Sequence, residues 1–269
     1  IAFKGAWWDF VRYAAEEGRK LGIEIGMHNC PGYTSTGGPW VTPELSMREL
    51  CARIVEVTTT GTEREVKLPK PEVTPHANAL FPVFNEDAQR LETPIIDARL
   101  TDIRDIAVLA IPAASGVKPE QVRDVTAGFK ASEDKLLVTL PAGQWKILRL
   151  CHTTMGSFTQ PNQWEVFGLE CDKMSETAIR AHITHVIGEL KAHLGDLVGS
   201  GLTYLLQDSY EAGTPSWTPL MREQFKTRRG YDPLPFLPIL AGVAIGDKPT
   251  EEKFRKDFDR TRQDLYRDC

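Results

Sequence analysis

The chain changes character twice, and that interruption limits its fold more than any single motif. From about residue 53 to 155 it carries short β-branched or alternating runs, at 54–58, 65–68, 106–111, 135–140 and 145–152, separated by turn residues. On either side the pattern is instead helix, glycine, strand. An order in which helices and strands alternate demands parallel pairing, because each strand returns to the sheet through a helix. A run of short strands alone demands an antiparallel sheet or barrel. One chain that does both therefore predicts an all-β insert inside an α/β frame.

The flanks specify their elements locally. Residues 6–21 form an amphipathic pattern with Trp7, Phe10, Val11, Ala14 and Leu21 near one face, and Gly22 stands ready as a C-cap. A short strand follows at 23–28, then a loop at 29–40 rich in Gly, Pro, Ser and Thr. Thr42-Pro43-Glu44 reads as the start of a helix reaching about Ala52. Within the β region, 136–140 and 145–150, joined by Pro141-Ala142-Gly143-Gln144, read as its best hairpin. Ser175 N-caps a helix whose buried face carries Ile179, Ile183, Val186, Ile187 and Leu190. An apolar strand covers 201–207, and another strand is expected near 164–170. Thr218-Pro219 opens a helix to Arg229 with Gly230 behind it, prolines 233, 235 and 238 forbid a helix next, and a last helix spans about 250–268.

The resulting fold class is α/β: a partial (β/α)8 TIM-type barrel interrupted by an all-β, sandwich-like insert. The divisions fall at 1–52 and 161–269 for the barrel and 53–160 for the insert. A closed barrel needs about 250 residues of its own, so 269 residues minus the insert hold at most half of one. Both chain ends read as cut. A doubly wound open sheet is the alternative, but its Gly-rich phosphate turn is absent.

Composition excludes several functions. A net charge of -5 without a basic stripe argues against nucleic-acid binding. No apolar run approaches the ~18 residues of a membrane helix. The five cysteines show neither a zinc pattern nor the density of a disulfide scaffold, and read as free, mostly buried thiols.

Functional groups of α/β barrels sit just past the C-terminal ends of strands, and three places qualify. After 201–207 come Asp208, Ser209, Tyr210 and Glu211, with Trp217 beyond. Paired carboxylates suit glycosidic cleavage, one as proton donor and one across the ring, and aromatic faces suit sugar C–H faces. From spacing alone, a turn-capping Asp208 and a solvated Glu211 are the simpler reading. The second place is Glu170, Cys171, Asp172 and Lys173, just before the Ser175 cap; acidic charge at a helix N-terminus is its simpler reading. The third is His28, Asn29 and the loop to Trp40, where His and Asn can bond hydroxyls and Trp40 can stack. His182 and His185 read as structural, lacking a third ligand. Cys171 lacks the partners of a nucleophile.

Five runs in order, 28–47, 140–150, 168–175, 208–219 and 225–240, resemble glycoside hydrolase family 106, the α-L-rhamnosidases. The resemblance implies a (β/α)8 catalytic barrel with β-sandwich appendages. It implies inverting hydrolysis of terminal α-L-rhamnosyl linkages of plant-type oligo- or polysaccharides, in a periplasmic or extracellular enzyme. It implies a calcium ion that helps hold the sugar, with Asp208, Glu170 and Asp172 as candidate ligands. Carried over by motif, Glu211 is the general acid. His28, Asn29, Trp40, Glu170, Asp172, Lys173, Asp208, Tyr210 and Trp217 are the candidate sugar contacts. The family's general base is a glutamate on a later strand, for which no motif occurs before residue 269. A barrel glycosidase of another sugar, or a non-catalytic carbohydrate-binding homologue, are the alternatives.

Overall fold

Helix α1 (Ala6–Leu21) ends at Gly22, whose φ of 67° is the left-handed conformation that glycine adopts without strain. The computed structural model describes residues 2–32, 34, 36–73, 83–85, 87–92, 102–159, 166, 168–207 and 211–269. After α1 the order is β1 (Ile25–His28), β2 (Arg48–Thr59), β3 (Glu63–Lys67), β4 (Val83–Asn85), β5 (Arg90–Glu92), β6 (Arg104–Pro112), β7 (Arg123–Asp124), β8 (Phe129–Lys130), β9 (Lys135–Thr139) and β10 (Gly143–Thr154). Then come α2 (Glu176–Leu194), β11 (Leu202–Leu206), α3 (Met221–Arg229), a 3-10 segment (Leu234–Ala241) and α4 (Lys248–Asp268).

The chain is thus a mixed α/β structure. Strands β1 and β11 pair in parallel, Ile25 beside Leu202 and His28 beside Leu206. Helices α1 and α2 pack on them through Trp8, Ala15, Val186, Leu190 and Leu194. The buried stripe of α1 is Trp8, Ala15 and Gly18, while Phe10 and Leu21 are exposed, contrary to the expected face. Close packing explains the rotation. A Cβ on Gly18 would lie 2.5 Å from Ile25, and one on Gly201 would lie 2.5 Å from the Ala15 carbonyl. Small residues, not large ones, make this contact. Among the described residues no closed barrel forms, and parallel pairing of named strands is confined to these two. The strand expected near 164–170 falls partly outside the described residues, and Leu169 makes only isolated bridges to Gly38 and Phe158.

Between them the β region forms two antiparallel sheets, β2-β10-β6-β7 and β3-β9-β8, with β4-β5 as a separate pair. Two expectations are overturned here. Thr42-Pro43-Glu44 starts only a 3-10 turn (Pro43–Leu45), and the chain becomes β2 at Arg48. The start signal is sound, but every residue of β2 finds a partner on β10, from Arg48 beside Thr154 to Thr59 beside Gly143. That ladder, with the β-branched run through Ile54, Val55 and Val57, overrides a local helical preference. The expected hairpin is an arch instead. β9 bonds to β3 and β8, whereas β10 bonds to β2 and β6. The corner at Pro141-Ala142-Gly143 therefore switches sheets, pinned by Trp145 Nε1 donating to the Pro141 carbonyl at 3.0 Å. Leu136, Val138 and Leu140 then face Trp145 and Ile147 across the sandwich core.

The opposite face of β10 builds a second core. Leu148 and Leu150, with Ala107, Leu109 and Ile111 of β6, pack on Met221 and Phe225 of α3 and Phe254, Phe258 and Leu265 of α4. The start signals of α2 and α4 are met by side chains, Ser175 accepting from Ala178 N–H and Asp247 from Thr250 N–H. Truncating a core phenylalanine such as Phe225 costs about 3–5 kcal/mol in typical cores.

Two arginines are fully buried along β2 and β10. Arg149 grips Asp105 bidentately at 2.6 and 3.0 Å, donates to the Leu68 carbonyl and Asp134, and lies 4.5 Å from the Phe129 ring. Burial works against its charge, but Asp105 and Asp134 more than offset it. Arg48 donates to the Pro43 carbonyl at 2.6 Å, to Asp102 at 2.9 Å and to His152 Nδ1. A buried guanidinium is tolerable only with its donors met, and these networks meet them.

His152 must be neutral to accept that bond. Burial, and next the Arg48 charge, push its pKa down to about 3. The unfolded chain protonates it near pH 6.5. Its contribution to stability is therefore complete above that pH and is lost as pH falls from about 6.5 toward 3. His152→Gln keeps an acceptor but cannot titrate. Urea titrations should show the parent losing on the order of 3 kcal/mol more than the variant between pH 7 and about 4. Equal losses in the two proteins would remove His152 from the acid sensitivity.

Candidate active site

The loop after β1 is clamped to the segment before α2. Gly38 N–H donates to the Leu169 carbonyl at 3.1 Å, and Asn29 N–H to Leu206 at 3.1 Å. Gly37, at φ 121°, lies so close that a Cβ would stand 2.6 Å from the Leu169 carbonyl, and a Cβ on Gly168 would overlap the backbone of Gly38. The glycines are there for backbone-to-backbone contact. On its other side the 168–172 segment is bonded to the entry of β2 and the exit of β10. Met47 N–H donates to the Glu170 carbonyl at 3.0 Å, Asp172 N–H to Leu45 at 2.8 Å, and Glu170 N–H to Ser157 at 2.9 Å.

The side chains of this segment point into the protein. Glu170 is fully buried; Lys173 Nζ donates to one oxygen at 2.7 Å and Thr34 Oγ1 to the other. Burial pushes the Glu170 pKa up, while the Lys173 ammonium pulls it the other way. Asp172, also buried, accepts from Thr218 Oγ1 at 2.7 Å and from Met174 N–H at 3.0 Å. Burial outweighs those bonds and raises its pKa to about 6.

Glu211 is exposed, and the residue after it is anchored. Ala212 is buried with Met47 and Met155, and Lys173 Nζ lies 3.6 Å from Met47 Sδ. Further along, Ser216 and Trp217 N–H both donate to the Arg48 carbonyl, and Ser216 Oγ accepts from Leu50 N–H at 2.8 Å. The 211–217 segment is thus laid along the start of β2, with exposed Glu211 next in sequence to the buried Ala212.

The remaining candidates separate. His28 is half-buried at the end of β1. Asn29 is buried, and its Oδ1 accepts no hydrogen bond among the described residues; Thr36 Oγ1 and Ser157 Oγ share that state. Trp40 is half-buried, donates from Nε1 to His182 Nδ1 at 3.0 Å, and stacks on His185 at 4.4 Å. The two histidines therefore support Trp40, in keeping with a structural role; burial holds the His182 pKa down at about 4. Trp217 is 2% exposed and belongs to the core beneath α3 and α4, so it presents no face to a sugar. Asp208 and Tyr210 lie outside the described residues. Thr218, expected to open this helix with Pro219, instead uses its hydroxyl on Asp172, and α3 begins at Met221. Arg48, Thr34, Met47 and Met155 carried no signal in the sequence, because their partners lie a hundred or so residues away.

Calcium takes six to eight oxygen ligands. Both oxygens of Glu170 and of Asp172 already accept protein donors, one of them a Lys ammonium. Neither fits as a calcium ligand in this arrangement, and no group of three or more His, Cys, Asp or Glu suited to a metal occurs among the described residues. Their role here is electrostatic. Lys173→Met would leave Glu170 buried without its counter-charge and should cost about 3–5 kcal/mol in urea unfolding. Adding Glu170→Leu should return most of that loss; a double variant as unstable as the single one would mean that the pair is not what holds this floor.

Three comparisons bear on this arrangement. A solved rhamnosidase from Novosphingobium sp. PP1Y superposes with a TM-score of 0.80 at 22% identity, over 99% of this chain and 39% of that one. It shares the fold. A Formosa agariphila protein named "Putative beta-glucuronidase" is 32% identical over 96% of this chain, which spans 23% of that protein. The family model described as alpha-L-rhamnosidase, glycoside hydrolase 106, matches residues 2–112 and 97–268. With practically its whole length matched by that model, the chain belongs to glycoside hydrolase family 106.

Proposed function

We propose that this chain is part of a glycosidase that hydrolyses terminal α-L-rhamnosyl linkages of plant-type glycans, with Glu211 as its proton donor. The observation that carries this reading is the family match over residues that include an exposed Glu211, whose neighbour Ala212 is buried against Met47 and Met155. In this reading β1 and β11, with α1 and α2 on them, are two strands of a (β/α)8 barrel that the sandwich interrupts. The protein acts in the periplasm or outside the cell, where its polymeric substrates are.

Glu211 donates its proton to the departing glycosidic oxygen as the bond to the anomeric carbon breaks. For inversion, water attacks the opposite face, and the two carboxyl groups stand roughly 6.5–9.5 Å apart. Glu170 and Asp172 are engaged with Lys173 and Thr218, so neither is assigned as base. The family resemblance gives that role to a glutamate on a later strand, and calcium enters on the same ground alone.

A second reading, hydrolysis of a β-glucuronosyl bond, is favoured by the name of the relative that shares 32% identity. Full-length protein offered aryl α-L-rhamnosides and aryl β-glucuronides, with and without a chelator, separates the two. Glu211→Gln should lower kcat on substrates with poor leaving groups by about 10²–10⁴-fold, with a much smaller loss on activated aryl groups. Near-parental turnover on poor leaving groups would take the acid role away from Glu211.

A further inference from the structure

Two of the five cysteines face each other. Cys51 of β2 and Cys151 of β10 are direct partners in the antiparallel ladder, with side chains on the same face. Opposed residues in such a ladder have Cα atoms about 4.5 or about 5.5 Å apart, according to the type of pair. Both values fall inside the span of about 4.4–6.8 Å that a disulfide bridges without backbone movement. Both cysteines are free, and each is close enough to perturb the other's ionisation.

The surroundings make the two sulfurs unequal. A bulge between Leu150 and Cys151 brings Asp105 of β6 opposite Cys151. Cys151 Sγ donates to Asp105 Oδ1 at 3.2 Å, and the Arg149 guanidinium holds that carboxylate in place. Cys151 is fully buried, whereas Cys51 is partly buried. Its closeness to Cys151 lowers the Cys51 pKa, against burial. Cys151 is pushed up by its closeness to Cys51, by burial and by Asp105.

We propose that Cys51 and Cys151 are a redox-responsive pair that closes to a cross-strand disulfide by exchange with a small disulfide such as oxidised glutathione. Cys51, the less buried of the two, attacks the small disulfide and releases one thiol, leaving a mixed disulfide on Cys51. Cys151 then attacks Cys51 Sγ and releases the second thiol. Two protein thiols are oxidised and one small disulfide is reduced to two thiols, whose protons come from Cys51 and Cys151. The new bond ties β2 to β10 three residues from Arg48 and from Thr154, the end that delivers Met47 and Met155 to the candidate site. An oxidising compartment would keep it closed.

The test treats the chain with oxidised glutathione, alkylates the remaining thiols, and maps peptides without reduction. The expected result is a peptide linking Cys51 to Cys151, lighter by two hydrogens than the unlinked pair, with both thiols lost to alkylation. It should be absent from Cys51→Ser and should reappear after reduction and reoxidation of the parent. The thermal midpoint should rise on oxidation of the parent and stay unchanged in Cys51→Ser. A stable glutathione adduct on Cys51 without the linked peptide, or full alkylation of both thiols, would overturn the proposal. Both results are read on the parent chain, so neither depends on a variant folding.

Discussion

Strand β10 is bonded to a neighbour along both edges and packed on both faces, and most of the molecule is arranged around it. Its residues alternate between two cores. Trp145 and Ile147 fill the sandwich, while Leu148 and Leu150 reach the helices α3 and α4. A strand buried on both sides has no solvent face on which to place a charge, yet Arg149 sits in its middle. The network of Asp105, Asp134 and the Leu68 carbonyl makes that residence possible. Desolvating a guanidinium costs several kcal/mol, so these partners are conditions of the fold rather than additions to it. The same logic applies one strand over to Arg48, whose acceptors include a histidine that must stay uncharged.

The candidate site inherits its geometry from the same ladder. The entry of β2 and the exit of β10 are adjacent, and the 168–172 segment is bonded to both. Its charged side chains turn inward, pair with one another and with threonines, and form a floor rather than a wall of open ligands. The sulfur-lined patch of Met47 and Met155 then receives Ala212, which fixes how far the Glu211 segment can wander. Under the proposed assignment of Glu211, support of an exposed acid by buried neighbours is what general acid catalysis asks of a scaffold.

What the sequence discloses and what it conceals divide along the range of the interactions involved. Helix ends were legible because their chemistry is local: Gly22, Ser175 and Gly230 act within four residues of themselves. The β character of the middle was legible from its residue types. The sheet to which each strand belongs was not, since β9 and β10 look like a hairpin until one asks what covers Leu136 and Trp145. Thr42-Pro43-Glu44 is a good helix start that the β2–β10 ladder overrules. In the site, the Glu170–Lys173 segment stood out because acids and a lysine precede a cap. Thr34, Met47 and Thr218, which decide where those charges point, did not, and Trp217 looked like a sugar platform although it is core. Asp208 and Tyr210 fall outside the described residues.

The parallel pair β1–β11 also sets an order on assembly. Ile25 has no strand to lie against until Leu202 has been made, and β2 waits for β10 in the same way. Contacts this distant in sequence form slowly, because chain closure must precede any gain from them. During synthesis the edges of β1 and β2 stand open while the rest of the chain emerges. A nascent chain of this family would therefore expose unpaired strands for longer than a helical bundle of the same length, and would rely on being shielded during that interval.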